Sequence, residues 1–282
     1  MPRILIPAVL FIVLLIPLSP AGAAPALALD GQLLAFQEEP VILEQKVMVP
    51  IRPILQEMGW RLACDMEEGV VYAERSANKI QIFLWQPAVV KNDVEISLTA
   101  VPQLISGHTM MSLEDICRLT GAQGTWDAQL ELASFFSPVE MTREGVVRSL
   151  LAADRQLMRV EYYNNQDFLK HCSIAPSPKI NSKEELINFL GSYWSPEYIE
   201  RIWQAGSREN VFIGFFRDGV TPLDYQKEIS VVELAGTQAR IEAKLPVWWG
   251  GEGDAEQFVN RVYTLIKDPE GKLLIKDIQI EE

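Results

Sequence analysis

The sequence predicts an α+β protein of two domains that follow a signal peptide. Three observations support this prediction: an apolar N-terminal run, a motif that occurs twice in the first half, and a change to long helical periods after residues 137–138. With 282 residues, 48% of them hydrophobic and 22% charged, the chain can bury a core in each domain. The predicted boundaries are 1–23 for the signal peptide, 24–137 for the repeat domain and 138–282 for the second domain.

The predicted signal peptide opens with the positive charge of Arg3, which an apolar run over residues 4–18 follows, interrupted only by two prolines. Ala21 and Ala23 supply the small residues that precede a cleavage site, as in a secretory signal peptide. The alternative, a transmembrane anchor, needs about 20 apolar residues, and this run is shorter. We therefore expect a secreted, extracytoplasmic protein, either free or associated with the cell envelope, with no membrane span after cleavage.

The repeat domain carries its motif twice at an offset of 62 residues, over 40–65 and again over 102–127. Each copy predicts a β-hairpin, a helix and then a strand, with the helices over 50–58 and 112–120. A glycine follows each helix, where a left-handed residue ends it. One copy cannot cover its own apolar face, so the two copies are expected to pack together. Identical residues at matched positions are Pro40 and Pro102, Met48 and Met110, Ile54 and Ile116, Gly59 and Gly121, Asp65 and Asp127.

The first copy reads Pro-Val-Ile-Leu from Pro40, Val-Met-Val-Pro-Ile-Arg-Pro-Ile from Val47 and Met-Gly-Trp from Met58. Together with the predicted hairpins at 27–32 and 90–94, this run resembles the repeat of the copper amine oxidase N-terminal, or stalk, domain. The resemblance extends over about 27–136, and it implies a spacer or binding module of secreted bacterial proteins.

The copper in the name of that family is not expected here. In the oxidases, copper and a tyrosine-derived cofactor belong to a large separate catalytic domain, for which this chain is too short. His108 lies in a predicted turn, where a lone His is usually a solvated polar residue. The second copy departs from the first at Ser112 and Glu114, where Pro50 and Arg52 stand in the first, so a shared surface role of Arg52 is not implied.

The second half predicts helices followed by an antiparallel sheet. Helices are expected over 142–164, over 182–190 behind a capping box at Ser182, and over 196–204 behind Ser195. This order is that of a cystatin-like or NTF2-like domain, and residues 182–202 with the terminal strands resemble secreted inhibitors of cell-wall DL-endopeptidases. Predicted strands cover 211–216, 225–234, 238–247, 257–267 and 272–280.

The composition excludes several functions. A formal charge of −13 argues against nucleic acid as a partner, because phosphate contacts require a basic surface. Two His and three Cys are too few for a zinc cluster, a haem pocket or a disulfide-dense scaffold, so no cofactor or metal is expected. Cys64 and Cys117 are interpreted as small buried hydrophobes, and three free thiols are favoured over one disulfide.

No motif in the sequence predicts catalysis: a nucleophile elbow, a zincin helix, a phosphate loop, a dinucleotide fingerprint and an EF-hand loop are all missing. His171 and Cys172 are adjacent and would point to opposite sides of a strand. The Gly-rich run at 250–253 carries an acid and is better read as a hairpin turn. We therefore expect a protein that is not an enzyme.

Aromatic side chains are the candidate partner-binding residues. Trp248 and Trp249 end a predicted strand, and Tyr193 and Trp194 lie at a helix junction. Such groups favour contact with a sugar, a peptide or a protein, whereas the alternative role is core filling. The sequence thus predicts a secreted, non-catalytic module that binds or presents a wall component or a partner protein. An inhibitor of a peptidoglycan DL-endopeptidase and a small-ligand carrier with an NTF2-like cup are the alternatives.

Overall fold

The computed structural model describes residues 25–36, 38–209, 211–212, 223–226, 228–246 and 258–281. The predicted signal peptide, Trp248, Trp249 and the Gly-rich run lie outside these residues. Within them, the fold is α+β: short helices and small sheets come first, then helices followed by a four-stranded antiparallel sheet. No helix of the described part has the length and apolar character needed to cross a membrane.

The first half consists of short strands and two short helices. Its two helices lie at matched positions of the repeat, one residue inside the predicted starts. The elements are β1 (Ala26–Leu29), β2 (Gln32–Leu33), β3 (Val41–Leu43), β4 (Lys46–Pro50), α1 (Ile51–Glu57), β5 (Arg61–Asp65), β6 (Val70–Arg75), β7 (Asn78–Phe83), β8 (Ala88–Lys91), β9 (Val94–Ser97), β10 (Gln103–Ile105), β11 (His108–Ser112), α2 (Leu113–Thr120), β12 (Gln123–Asp127) and β13 (Leu132–Phe136).

The two copies of the repeat pack against each other through their hairpins, as the sequence predicts. The hairpins form one sheet in the order β10-β11-β4-β3. In the central pairing Val49 lies opposite Met111, Met48 opposite Ser112, and Pro50 opposite Met110. The 62-residue offset converts the Met48–Ser112 pair into the Met110–Pro50 pair and leaves the Val49–Met111 pair unchanged. The two copies are therefore related by an approximate two-fold axis. Their helices and hairpins share one core, to which both Ile54 and Ile116 belong.

Backbone conformation also follows the repeat. Gly59 and Gly121 both adopt left-handed φ values, 82° and 77°, behind their helices. The first carboxylate oxygen of Asp65 accepts two backbone N–H groups of the following turn, and Asp127 does the same in the second copy. Both hairpins turn on two left-handed residues, because tight hairpins require this geometry to match the strand twist.

Each copy has a second sheet built on its outer strand pair. In the first copy the sheet order is β5-β6-β7-β8-β9, which includes the predicted hairpin between the copies. In the second copy the order is β12-β13-β1-β2, and β1 pairs with β13 in parallel. The first strand of the described residues therefore extends the sheet of the second copy, a pairing that no local signal indicates.

The second half contains the predicted helices and meander. An additional short helix, which the sequence did not predict, ends at His171 with Cys172 as its C-cap, so the prediction that these two residues lie on a strand is wrong. Asn165 caps this helix, because its side chain accepts the backbone N–H of Phe168. The elements are α3 (Arg143–Glu161), α4 (Gln166–His171), α5 (Lys183–Leu190), α6 (Pro196–Gly206), β14 (Ser207–Arg208), β15 (Val211–Phe212), β16 (Glu228–Ala235), β17 (Gln238–Pro246), β18 (Phe258–Lys267) and β19 (Leu273–Glu281).

The helices of this half cover one face of the sheet β16-β17-β18-β19. The face is packed with buried side chains such as Ile241, Tyr263 and Ile275, which meet apolar residues of α3, α5 and α6. From Leu150 to Glu161 no residue of α3 is exposed. This helix is covered on several sides because the sheet packs on one side and the first half approaches on another.

The two halves contact each other directly. Within the first half, at its last residue, Ser137 donates its backbone N–H and its hydroxyl to the two carboxylate oxygens of Asp30, at 2.8 and 2.7 Å. Arg75 pairs with Glu140 at 2.7 Å, and the backbone N–H of Ala175 donates to the carbonyl of Gly31. Gly31 is required there, since its φ is +79° and an added Cβ would lie 3.0 Å from Cβ of Arg155.

Candidate functional site

A cavity of about 480 Å³ lies between the two halves, a volume within the usual range of small-molecule sites. One wall comes from the outer strand pair of the second repeat copy, and the other comes from α3, α5 and the loop between α4 and α5. We call this cavity the cleft. It is lined by Gln123, Thr125, Asp127, Leu132, Ser134, Phe136, Gln156, Arg159, Pro178, Lys179, Ile180, Glu185, Asn188, Phe189, Ser192 and Tyr193.

The first wall follows from strand alternation. Every second residue of β12 and β13 points to the same side of the sheet, so Gln123, Thr125 and Asp127 share a face with residues 132, 134 and 136. The pairing brings Thr125 opposite Ser134 and Gln123 opposite Phe136. An amide, two hydroxyls and an aromatic ring are thus held on a rigid sheet.

The second wall follows from helical spacing. Gln156 and Arg159 lie one turn apart on α3, and Glu185, Asn188 and Phe189 lie on one side of α5. The helix α5 is fixed at its start by the predicted capping box, in which Ser182 accepts the N–H of Glu185 and the Glu185 carboxylate accepts the N–H of Ser182.

Arg159 is the most deeply buried charged residue of the cleft, with 4% of its surface exposed. Its Nε and Nη2 donate to the carbonyl of Pro176, and its Nη1 donates to Oε1 of Gln156 at 2.8 Å. The ring of Phe189 lies 4.8 Å from the guanidinium carbon. Burial lowers the pKa of Arg159 from its usual 12.5 to about 10, and the nearby charge of Asp127 opposes this shift.

The carboxylates of the cleft are already engaged by backbone groups. Asp127 accepts the N–H groups of residues 129 and 130 at 2.9 and 3.0 Å, and Glu185 accepts those of residues 181 and 182 at 2.6 and 3.2 Å. Neither forms an ion pair with Arg159 among the described residues. The cation therefore lies in the cleft with neutral acceptors as its direct partners.

The predicted aromatic candidates are distributed differently from the expectation. Trp194 is 1% exposed, donates its indole N–H to the carbonyl of Ala153 and belongs to the core, the role given as the alternative. Tyr193 is 7% exposed, yet it borders the cleft, with its ring 6.1 Å from that of Phe136. Burial, followed by the charge of Asp30, raises the pKa of Tyr193 well above its usual value. Trp248 and Trp249 lie outside the described residues.

The three cysteines are free thiols in the structure. Cys64 is exposed, so its interpretation as a buried hydrophobe is wrong: β5 is the edge strand of its sheet, and the thiol faces Arg52, whose Nη2 lies 3.4 Å from the sulfur. Cys117 is half-buried, and burial raises its pKa to about 11. In the described ranges, no group of three His, Cys, Asp or Glu side chains is placed to hold a metal ion.

The residues that sequence reasoning missed are Arg159 and its neighbours. The helical period of α3 places Arg159 on the polar side of the helix. If α3 packed only on the sheet of its own half, that side would be exposed to water. In the structure the first half packs over that side of α3, and nothing in the sequence of α3 predicts this packing. The carboxamides of Gln123, Gln156 and Asn188 likewise have no distinguishing sequence pattern.

Comparison with known families identifies the first half. Residues 28–133 match the model of the copper amine oxidase N-terminal domain, a domain found in extracellular bacterial proteins. The match covers less than half of the chain and ends before the second half begins. No curated protein matches the chain. The resemblance of the second half to endopeptidase inhibitors stays a prediction.

Proposed function

We propose that this chain is a secreted, non-catalytic binding protein of the cell envelope, which holds a wall component or a partner in the cleft between its halves. The observation that carries the proposal is the composition of the cleft, where both halves contribute amides, hydroxyls and aromatic rings to one cavity of about 480 Å³. Such a mixture of ring faces and hydrogen-bonding groups is typical of ligand sites. The lining includes neither His nor Cys, the side chains most often used for proton transfer and nucleophilic attack.

This proposal changes the role expected of the first half. The resemblance implies a spacer or binding module, whereas here the first half also forms one wall of the cleft. It also differs from the cup alternative. The helix-facing side of the second-half sheet is packed by Trp194, Trp203 and Tyr263. That packing occupies the side on which a carrier of this fold would hold its ligand.

The repeat provides a matched pair of variants for the test. Thr125 is exposed and lines the cleft, while Ala63, its counterpart 62 residues earlier, is exposed on the first copy, outside the cleft lining. A Trp at either position removes no buried contact, but only Thr125→Trp fills the cleft. We expect the purified protein to co-sediment with isolated cell walls, with at least tenfold weaker binding for Thr125→Trp and unchanged binding for Ala63→Trp.

Two results would contradict this proposal. Equal binding by the two Trp variants would mean that the wall contact lies outside the cleft. Failure of the unmodified protein to bind cell walls or any envelope partner would contradict the proposed binding function. A parallel assay mixes the protein with a cell-wall endopeptidase, and inhibition at equimolar ratio would favour the alternative function instead.

A further inference from the structure

Arg159 is a buried cation whose hydrogen-bond partners among the described residues include no carboxylate. A buried charge is costly unless it is paired, and a guanidinium stays protonated in proteins. In the described part of the chain, its acceptors are one backbone carbonyl and one side-chain amide, both neutral. Three of its five N–H groups are used, so one N–H on each of Nη1 and Nη2 has no acceptor among the described residues.

These two remaining donors lie on the neighbouring terminal nitrogens of a planar fork. Such a fork matches two oxygens of one carboxylate or phosphate group. The rest of the guanidinium is fixed in place, since Pro176 and Gln156 bind two of its edges and Phe189 lies near its face. A fixed fork loses little side-chain entropy when an anion binds.

The surroundings of Arg159 favour an organic anion over a small inorganic one. Carboxamides of Gln123 and Asn188 and the hydroxyls of Thr125 and Ser134 line the same cavity. These groups both donate and accept hydrogen bonds, as peptide groups do. The cavity is also several times larger than one carboxylate requires, and its rings offer apolar contact for short side chains.

We propose that the cleft binds a short peptide and that Arg159 pairs with its free C-terminal carboxylate. The inference rests on the proposed function, because it assigns a ligand class to the same site. Asp127 and Glu185 form no ion pair with Arg159 among the described residues, and one oxygen of each carboxylate accepts two backbone N–H groups. The wall or partner component held in the cleft is then one that carries a peptide with a free end.

The test measures binding to the purified protein by isothermal titration calorimetry. The probes are trialanine, trialanine amide and inorganic phosphate, which differ in the anion and in the peptide part. We expect trialanine to bind at least ten times more tightly than its amide, and phosphate to bind more weakly than trialanine. Thr125→Trp should abolish the trialanine signal, and Ala63→Trp should leave it unchanged.

Gln156→Glu is the decisive variant. It keeps the size of the side chain and places a carboxylate on the atom that now lies 2.8 Å from Nη1 of Arg159. The new carboxylate at position 156 then neutralises the charge of Arg159, while the hydrogen bonds from Arg159 to the carbonyl of Pro176 are preserved. We expect this variant to unfold at a temperature no lower than the unmodified protein and to bind trialanine and its amide equally.

Equal affinity of the unmodified protein for trialanine and its amide would overturn the inference. A Gln156→Glu variant that still binds trialanine more tightly than its amide would also overturn it. Phosphate that binds as tightly as trialanine would show an anion site without peptide recognition, which also overturns it. If neither peptide binds but cell walls still co-sediment in a Thr125-dependent manner, this inference fails while the proposed function stands. If the unmodified protein binds neither trialanine nor cell walls, both this inference and the proposed function are contradicted.

Discussion

The outer strand pairs of the two repeat copies have the same geometry and different surfaces. In the first copy, Arg61 pairs with Glu74 and Ala63 with Tyr72. At the matched places of the second copy, Gln123 pairs with Phe136 and Thr125 with Ser134. The first surface carries an ion pair at 3.6 Å between exposed side chains, whereas the second faces α3 and α5 across the cleft.

The difference shows how a duplicated scaffold divides its tasks. Both strand pairs are held by the same turn, since Asp65 and Asp127 bind the same backbone groups, and neither surface is needed to form that turn. An exposed ion pair contributes little to stability, so the first surface serves solvation. The second surface forms one wall of the cleft.

The largest effect that separates the copies is expected at Asp115, where the first copy has Pro53. Asp115 is fully buried and accepts hydrogen bonds from the backbone N–H groups of Thr99 and Ala100 and from the Ser112 hydroxyl. Asp115→Ala removes the acceptor that these donors share and leaves the buried Ser112 hydroxyl without it, so we expect a loss of about 2–4 kcal/mol in the free energy of unfolding. Pro53→Ala should change it by less than about 1 kcal/mol.

Urea unfolding of both variants checks this prediction, and similar losses for the two would contradict it. The pH dependence offers a second readout. Burial acts to raise the pKa of Asp115, but hydrogen bonds from Ser112 and Thr99 outweigh burial and hold it below the usual 3.8. The stabilisation is therefore present above pH 3.8 and is lost as the pH falls through the lowered pKa, a loss that Asp115→Ala should lack.

An intermediate effect is expected at Gly124, which stands where the first copy has Leu62. A Cβ at Gly124 would lie 2.5 Å from the sulfur of Cys117 and 2.8 Å from a methyl carbon of Leu113. Gly124→Ala should therefore cost about 1–3 kcal/mol through overpacking. Adding Cys117→Ala should recover part of the loss, because it removes the shorter contact. Thermal unfolding measures both, and an unchanged melting temperature for Gly124→Ala would argue against this close packing.

The smallest effect is expected at Asp30, whose counterpart in the other copy is Asn92; both lie in left-handed turns. Burial raises the pKa of Asp30, and the hydrogen bonds from Ser137 offset this only in part. The native state therefore holds this proton to a higher pH than the unfolded chain, and stability falls as the pH rises from 3.8 through the raised pKa.

Asp30→Asn removes that loss and keeps an acceptor for Ser137. We expect the variant to gain up to about 1 kcal/mol at pH 7 and little below pH 3.8, as measured by denaturant unfolding at both values. A variant that is less stable at pH 7 than the unmodified protein would show that the negative charge itself strengthens the contact between Asp30 and Ser137.

Much of the local structure could be predicted from the sequence. The repeat offset located both helices to within one or two residues, and the capping box at Ser182 and the N-cap at Ser195 located the starts of two second-half helices. These signals work because a cap or a left-handed turn involves neighbours within a few residues. The helix α4 was missed because six residues carry too little periodicity to stand out from a loop.

The candidate site was not predictable in the same way. Tyr193 was noted as an aromatic residue and does border the cleft, but Trp194 beside it fills the core, and adjacent sequence positions do not reveal which one a cavity exposes. The helical period places Arg159 away from the apolar positions of its helix. Its burial depends on the first half, which lies far away in the chain.

By itself, the sequence determined the duplicated unit, its hairpins and helices, and the order of helices and strands in the second half. Only the tertiary structure decided that β1 extends the sheet of the second copy, that this copy rather than the first faces α3, and that Arg159 is enclosed in the cleft. The physical reason is range. Capping, turns and periodicity act between neighbouring residues, whereas the parallel pairing and the burial of a charge depend on which distant surface covers which.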